Sequence, residues 1–144
     1  MENKISIGNS GEYFVAGELE RRGYTCAVPM SNTKAFDILA IRRDNNQYAL
    51  QVKTNKTAKK KWILTKKNEQ LIDDNVFYVF VSMKNLEAPE YHIVPSDVVA
   101  AQISQTHIKW LNEKGKNGQK HKDNSIRNFE DPDDKYLNRW DLLL

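Results

Sequence analysis

Cysteine is almost absent: Cys26 stands alone in 144 residues. That excludes an intramolecular disulfide and any zinc site built on several cysteines of one chain. His92, His107 and His121 have no metal-ligand spacing, so solvated or core roles are expected for them. Long apolar runs are also missing. The longest, Val76 to Val81, is far too short to span a bilayer. The opening residues, Met1-Glu2-Asn3-Lys4-Ile5-Ser6, carry no apolar secretory core. No internal repeat or linker is visible. The expectation is one cytoplasmic domain over residues 1–144 with no membrane partner. Residues 114–144 are expected to form a C-terminal loop and tail docked on the core.

What is present is ordinary in bulk and uneven in detail. Hydrophobic residues make up 40% and charged residues 28%, with a net charge of +3. The positive charge is concentrated: Lys53, Lys56, Lys59, Lys60, Lys61, Lys66 and Lys67 fall within fifteen residues. The acids gather elsewhere, notably in Glu130-Asp131-Pro132-Asp133-Asp134, which reads as a solvated turn. A local basic surface follows whatever the total charge is.

Ser10 is placed to cap a helix from Gly11 to about Arg22, with Gly23 to stop it. Thr25 to Val28 reads as a short strand. Strands are expected from Phe36 to about Arg42 and from Gln47 to Thr54, joined by a turn at Asp44-Asn45-Asn46. Residues 55–61 read as a basic loop and Thr65 to Asp74 as a helix with Leu71 and Ile72 inward. The continuous apolar run Val76–Val81 suits a central strand covered on both faces. Tyr91 to Val94 is a further strand. Ser96 is placed to cap a helix from Asp97 to about Asn112. The order α-β-β-β-α-β-β-α implies an α/β fold: a mixed sheet flanked by helices.

The hairpin from Phe36 to Thr54 holds the unusual chemistry. Asp37, Gln51 and Lys53 are polar groups set in two strands that otherwise read as buried, and burial of such groups is costly unless something binds them. Alternation puts Gln51 and Lys53 on one face and Leu50, Val52 and Thr54 on the other. Pairing around Asn45 puts Asp37 about opposite Lys53 and Leu39 about opposite Gln51. Glu12 sits on the helix face that also carries Val15, Ala16 and Leu19, so it is a fourth candidate. The plainer reading of Glu12 is a carboxylate favouring the first helical turn through the macrodipole. The plainer reading of the hairpin is a strand-end salt bridge with Gln51 facing solvent.

Carboxylate and amide oxygens, with a backbone carbonyl such as that of Val52, are hard ligands suited to Mg²⁺ or Mn²⁺. A metal held by Glu12, Asp37, Gln51 and the Val52 carbonyl can polarise a phosphate and acidify a bound water. Lys53 can orient that water and offset charge developing on the phosphate. The chemistry this describes is phosphodiester hydrolysis.

At Glu12, Asp37 and Gln51-Val52-Lys53 the chain resembles the PD-(D/E)xK nuclease superfamily. That resemblance implies a restriction endonuclease-like αβββαβ core. The stretch from Gly11 to Lys53 is similar to Holliday-junction resolvases, with Ser31 matching their loop serine and so implied in nucleic-acid contact. Phe36 replaces the proline of the motif, and Gln51 replaces its usual Glu, as in Mrr-type nucleases with Gln-x-Lys. A neutral amide is the weaker ligand, which shifts metal binding toward Glu12 and Asp37. The resemblance further implies a Mg²⁺-dependent DNA endonuclease acting as a homodimer.

Lys56, Lys59, Lys60, Lys61, Lys66 and Lys67 follow directly from the hairpin and are expected to contact DNA phosphates, which gives sequence-independent, salt-sensitive affinity. Trp62 reads as packing rather than base stacking. Two competing readings stay open. One is an inactive nucleic-acid-binding domain that keeps the fold, and the other is a structural protein whose basic loop only aids solubility.

Overall fold

The computed structural model describes residues 3–29 and 35–144, so Ser31 lies outside the described residues. The first helix, α1 (Lys4–Glu20), begins a turn and more before Ser10. Asn3 is its cap, with the side-chain oxygen accepting from the Ile5 N–H at 2.9 Å. Ser10 therefore sits inside the helix. Gly11, Val15 and Leu19 recur every four residues and form its buried stripe. At the far end Gly23 takes φ +94°, and the Tyr24 N–H reaches back to the Leu19 carbonyl at 3.1 Å. This is the left-handed helix stop that glycine allows.

Five strands form one mixed sheet in the order β1-β2-β3-β5-β6. They are β1 (Thr25–Ala27), β2 (Ile38–Ile41), β3 (Gln47–Asn55), β5 (Val76–Ser82) and β6 (Glu90–Pro95). All neighbours are antiparallel except β3 and β5, which are parallel. β5 is covered on both faces, as its apolar run requires. Phe77, Val79 and Val81 join Val15, Leu19, Ile38, Leu50 and Val52 on the α1 side. Tyr78 and Phe80 join Trp62, Phe129 and Ile103 on the other.

The parallel β3–β5 connection differs from the expected helix over 65–74. It is made by a strand, β4 (Lys61–Thr65), and a 3₁₀ turn (Lys66–Gln70). Trp62 and Leu64 are buried while Lys61, Ile63 and Thr65 are exposed, and this period of two selects strand. Residues 66–70 carry no apolar residue to hold a longer helix against the core, and Ile72 is exposed rather than inward. Trp62 is packing, as expected: its indole N–H donates to the Val81 carbonyl at 2.9 Å inside the core.

β4 pairs with β7 (Ile126–Glu130) in a separate two-stranded antiparallel sheet. The sequence hid β7 because one of its inward positions is Arg127. That guanidinium is buried, and it is satisfied by Glu69 at 2.7 Å and by the carbonyls of Asn124 and Ile126. The second helix, α2 (Ser96–Asn112), packs Val99 and Ile103 behind this ribbon. Its N-cap is Pro95, and the Ser96 hydroxyl instead donates to the Asp73 carbonyl at 2.8 Å.

The chain end docks through Trp140 and Leu143, both buried on the α1 side. The acidic run is not simply solvated. Asp131 is buried, bonds His92 Nδ1 at 2.7 Å, and accepts the N–H groups of Lys135 and Tyr136. Among the described residues no helix is long and apolar enough to cross a membrane.

Candidate metal centre and nucleic-acid groove

The turn between β2 and β3 sets the register. Asn45 takes φ +67°, and Arg42 N–H donates to the Asn46 carbonyl at 2.8 Å. The loop is therefore three residues, Arg43 to Asn45, with the left-handed residue last. It is centred on Asp44, one residue earlier than the sequence suggested. Leu39 consequently faces Ala49, not Gln51, and Ile38 faces Leu50. The correction is a shift of two residues along β3, an even number, so the side-chain faces survive. Leu50 and Val52 point to the α1 side and join its core, which leaves Gln51 and Lys53 on the opposite face.

Asp37 does not sit opposite Lys53. It stands just before β2, donating its N–H to the Leu50 carbonyl at 2.9 Å. Its Oδ2 accepts the Val52 N–H at 2.8 Å. The carboxylate thus replaces a backbone carbonyl where β2 gives way, and one of its oxygens is fixed on the strand that carries Gln51 and Lys53. In an extended strand the N–H and C=O of one residue point to the same edge. The Val52 carbonyl is therefore directed to the side where Asp37 stands.

Gln51 is half-buried, and its Nε2 donates to the Ala35 carbonyl at 2.7 Å. A carbonyl only accepts, so that contact fixes which end of the amide is nitrogen and leaves Oε1 as the lone-pair end. The solvent-facing glutamine of the plainer reading is replaced by an anchored one.

Glu12 is half-buried in the middle of α1, eight residues after its first residue. The helix starts at Lys4, so the first-turn macrodipole explanation no longer applies. The neighbouring Gly11 brings the helix onto β3: a Cβ built there would lie 1.9 Å from Thr54 Oγ1. Only glycine permits this approach. It sets Glu12 one residue from the contact between α1 and the later half of β3.

The donor set is hard and oxygen-rich: two carboxylates, one amide oxygen and one backbone carbonyl. It suits Mg²⁺ or Mn²⁺ rather than zinc or copper. Among the described residues no three His, Cys, Asp or Glu side chains gather as a metal-holding group. A centre here would draw on Gln51 beside Asp37, with Glu12 coming from the helix on the Leu50 and Val52 side of the sheet.

The basic run is divided by the fold. Lys59 and Lys61 join Lys53 along an open groove of about 520 Å³, with Thr57, Ile63 and Asn128 in its walls. Asn55 shapes its rim, donating to the carbonyls of Lys59 at 2.8 Å and Lys61 at 2.9 Å. Lys60 turns away to an ion pair with Asp134, which holds its ammonium pKa above the ordinary value. Lys56 lines a different cavity beside Ile7 and Phe14. Lys66 and Lys67 are exposed at the other end of β4, roughly 16 Å along the strand from Lys61. Asn55 and Asn128 carry no signal in the sequence, because neither is placed until the loop and β7 are folded.

Neither a family model nor a curated protein sequence matches the chain. Solved structures do match. A bacterial homing endonuclease, I-Ssp6803I, is similar over 100% of this chain and 93% of its own, with TM-score 0.63 and 14% identity. The Holliday junction resolvase Hjc of Archaeoglobus fulgidus is similar over 86% of this chain and 84% of its own, with TM-score 0.51 and 12% identity. At these identities the likeness is one of fold: the chain shares with both structures a restriction endonuclease-like fold, a five-stranded mixed sheet flanked by helices.

Proposed function

We propose that the chain is a metal-dependent nuclease that hydrolyses DNA phosphodiester bonds. One observation carries the reading: the Asp37 carboxylate is pinned to the Val52 amide of the strand that bears Gln51 and Lys53. That bond places a carboxylate beside the strand residues that a metal ion and an attacking water would need. Asp37, Gln51, Glu12 and the Val52 carbonyl would hold Mg²⁺ or Mn²⁺, which would supply Lewis-acid chemistry at the scissile phosphate and at a water. Lys53 orients the attacking water and offsets negative charge as it builds on the phosphate. Lys59 and Lys61 hold the DNA backbone along the groove that Lys53 opens into. Lys66 and Lys67 extend the basic surface beyond it.

Cutting both strands of a duplex needs two centres, and a homodimer supplies them. Phe14 of α1 and Leu86, both exposed and lining one open cavity, form an apolar patch that favours a second copy.

One observation favours the inactive alternative. With Gln51 in the third position, only two of the four donors carry charge. The experiment that separates the readings is nicking of supercoiled and branched DNA with Mg²⁺, Mn²⁺ or EDTA, in wild type and Asp37→Ala. The nuclease reading expects metal-dependent nicking by wild type that the variant loses. No nicking on any substrate, with DNA binding intact, would leave only the binding domain.

A further inference from the structure

The β4–β7 ribbon is more than a lid on the core. Its inner face carries Trp62, Leu64 and Phe129. Its outer face presents three cross-strand pairs: Lys61 with Glu130, Ile63 with Asn128, and Thr65 with Ile126. Ile63 is 71% exposed and Ile126 55%. Ile63 and Ile126 thus present two β-branched apolar side chains to solvent on an outer face whose other residues are polar.

Open grooves flank the ribbon on both sides. One holds Lys53, Lys59 and Ile63, the other Trp110, Ile126 and Arg127, and Lys61 and Asn128 line both. The ribbon is thus a ridge, continuous with the candidate centre through Lys53.

We propose that this ridge enters the major groove of duplex DNA and reads its base edges, making the chain sequence-preferring. The inference rests on the nuclease reading and adds to it a substrate form and a specificity element. Size fits: paired strands lie about 4.8 Å apart, and a major groove about 12 Å wide admits a two-stranded ribbon. Chemistry fits as well. An asparagine amide such as that of Asn128 matches adenine, and the methyl groups of Ile63, Ile126 and Thr65 match the thymine methyl. Charge fits too: Lys59 and Lys61 at one end of β4 and Lys66 and Lys67 at the other can meet the phosphates bordering the groove. The one acidic side chain on the outer face, Glu130, lies 3.6 Å from the Lys61 ammonium.

The test is a selection of preferred duplexes from a random pool in EDTA, followed by anisotropy titrations on the selected and a scrambled duplex. Wild type should prefer the selected duplex by tenfold or more. Asn128→Ala and Ile63→Ala should each lower that ratio by roughly fivefold or more, with scrambled-duplex affinity nearly unchanged. Lys59→Ala should weaken both duplexes alike. The proposal is overturned if wild type shows no preference, or if the ribbon variants keep the full ratio. It is also overturned if they change only the sedimentation of the protein alone, which would assign the face to a second copy. In each of those cases metal-dependent nicking survives. If wild type neither nicks nor binds DNA, the nuclease reading itself fails.

Discussion

Gly11→Ala should disturb both the fold and the site, and the structure sets the size of the effect. The added methyl would lie 1.9 Å from Thr54 Oγ1, 3.1 Å from its Cβ and 3.3 Å from its Cγ2. Either α1 must retreat by about 1 Å or Thr54 must leave its rotamer, and overpacking of this kind costs about 1–3 kcal/mol. For a chain of this size the Tm should fall by roughly 3–10 °C. Thr54→Ala removes the closest atom, and it should cost little by itself because the Thr54 hydroxyl is buried with no hydrogen-bond partner among the described residues. In the double variant the cost of Gly11→Ala should drop below about 1 kcal/mol, a coupling typical of residues in contact. Glu12 moves with the helix, so cleavage should fall further than stability, by as much as ~10²-fold for a 1 Å displacement. Denaturant melts of the four proteins measure the cycle. If Gly11→Ala unfolds at the wild-type midpoint, or loses the same stability with and without Thr54, the close approach is not what positions α1.

Three further outcomes follow from the site. Gln51→Glu adds a charged donor, so the Mg²⁺ concentration for half-maximal cleavage should fall by about tenfold. The same change sets an anion against the Ala35 carbonyl, so the metal-free protein should lose about 1–3 kcal/mol in a denaturant melt. Lys59→Ala should reduce the slope of log affinity against log salt by about one, whereas Lys60→Ala should leave it nearly unchanged because Lys60 is paired with Asp134. Burial, reinforced by Glu20, pushes the Cys26 thiol up to about 11. The folded protein therefore holds less thiolate at pH 8 than the unfolded chain, and alkylation should be roughly a hundredfold slower. The rate should climb as pH rises toward 11, and mass spectrometry of the labelled protein follows it.

Much of this was legible because burial and alternation act locally. The apolar run of β5, the hairpin faces, and the stripe of Val15 and Leu19 all depend on residues near one another. The register was missed by one turn residue: Asp44 and Asn45 are both good turn formers, and only the left-handed backbone of Asn45 decides between them. The helix expected over 65–74 failed because polar residues of fair helix propensity had no apolar face to dock. β7 was hidden for the opposite reason. Arg127 occupies an inward position that looks impossible until Glu69, distant in sequence, arrives to pair with it. The lysine run shows the same limit at the site: adjacency in sequence put Lys60 beside Lys59 and Lys61, and the fold sends it to Asp134.

The central claim is that the β2–β3 hairpin is a cutting centre and not only a binding surface. Single-turnover cleavage of a nicking substrate in Mg²⁺, with wild type and Lys53→Ala each saturated with DNA, tests it most directly. Lys53 touches the reacting phosphate in this account. Its loss should slow the chemical step by about 10²-fold or more while the saturated complex still forms. Equal rates for the two proteins at saturation would contradict the account.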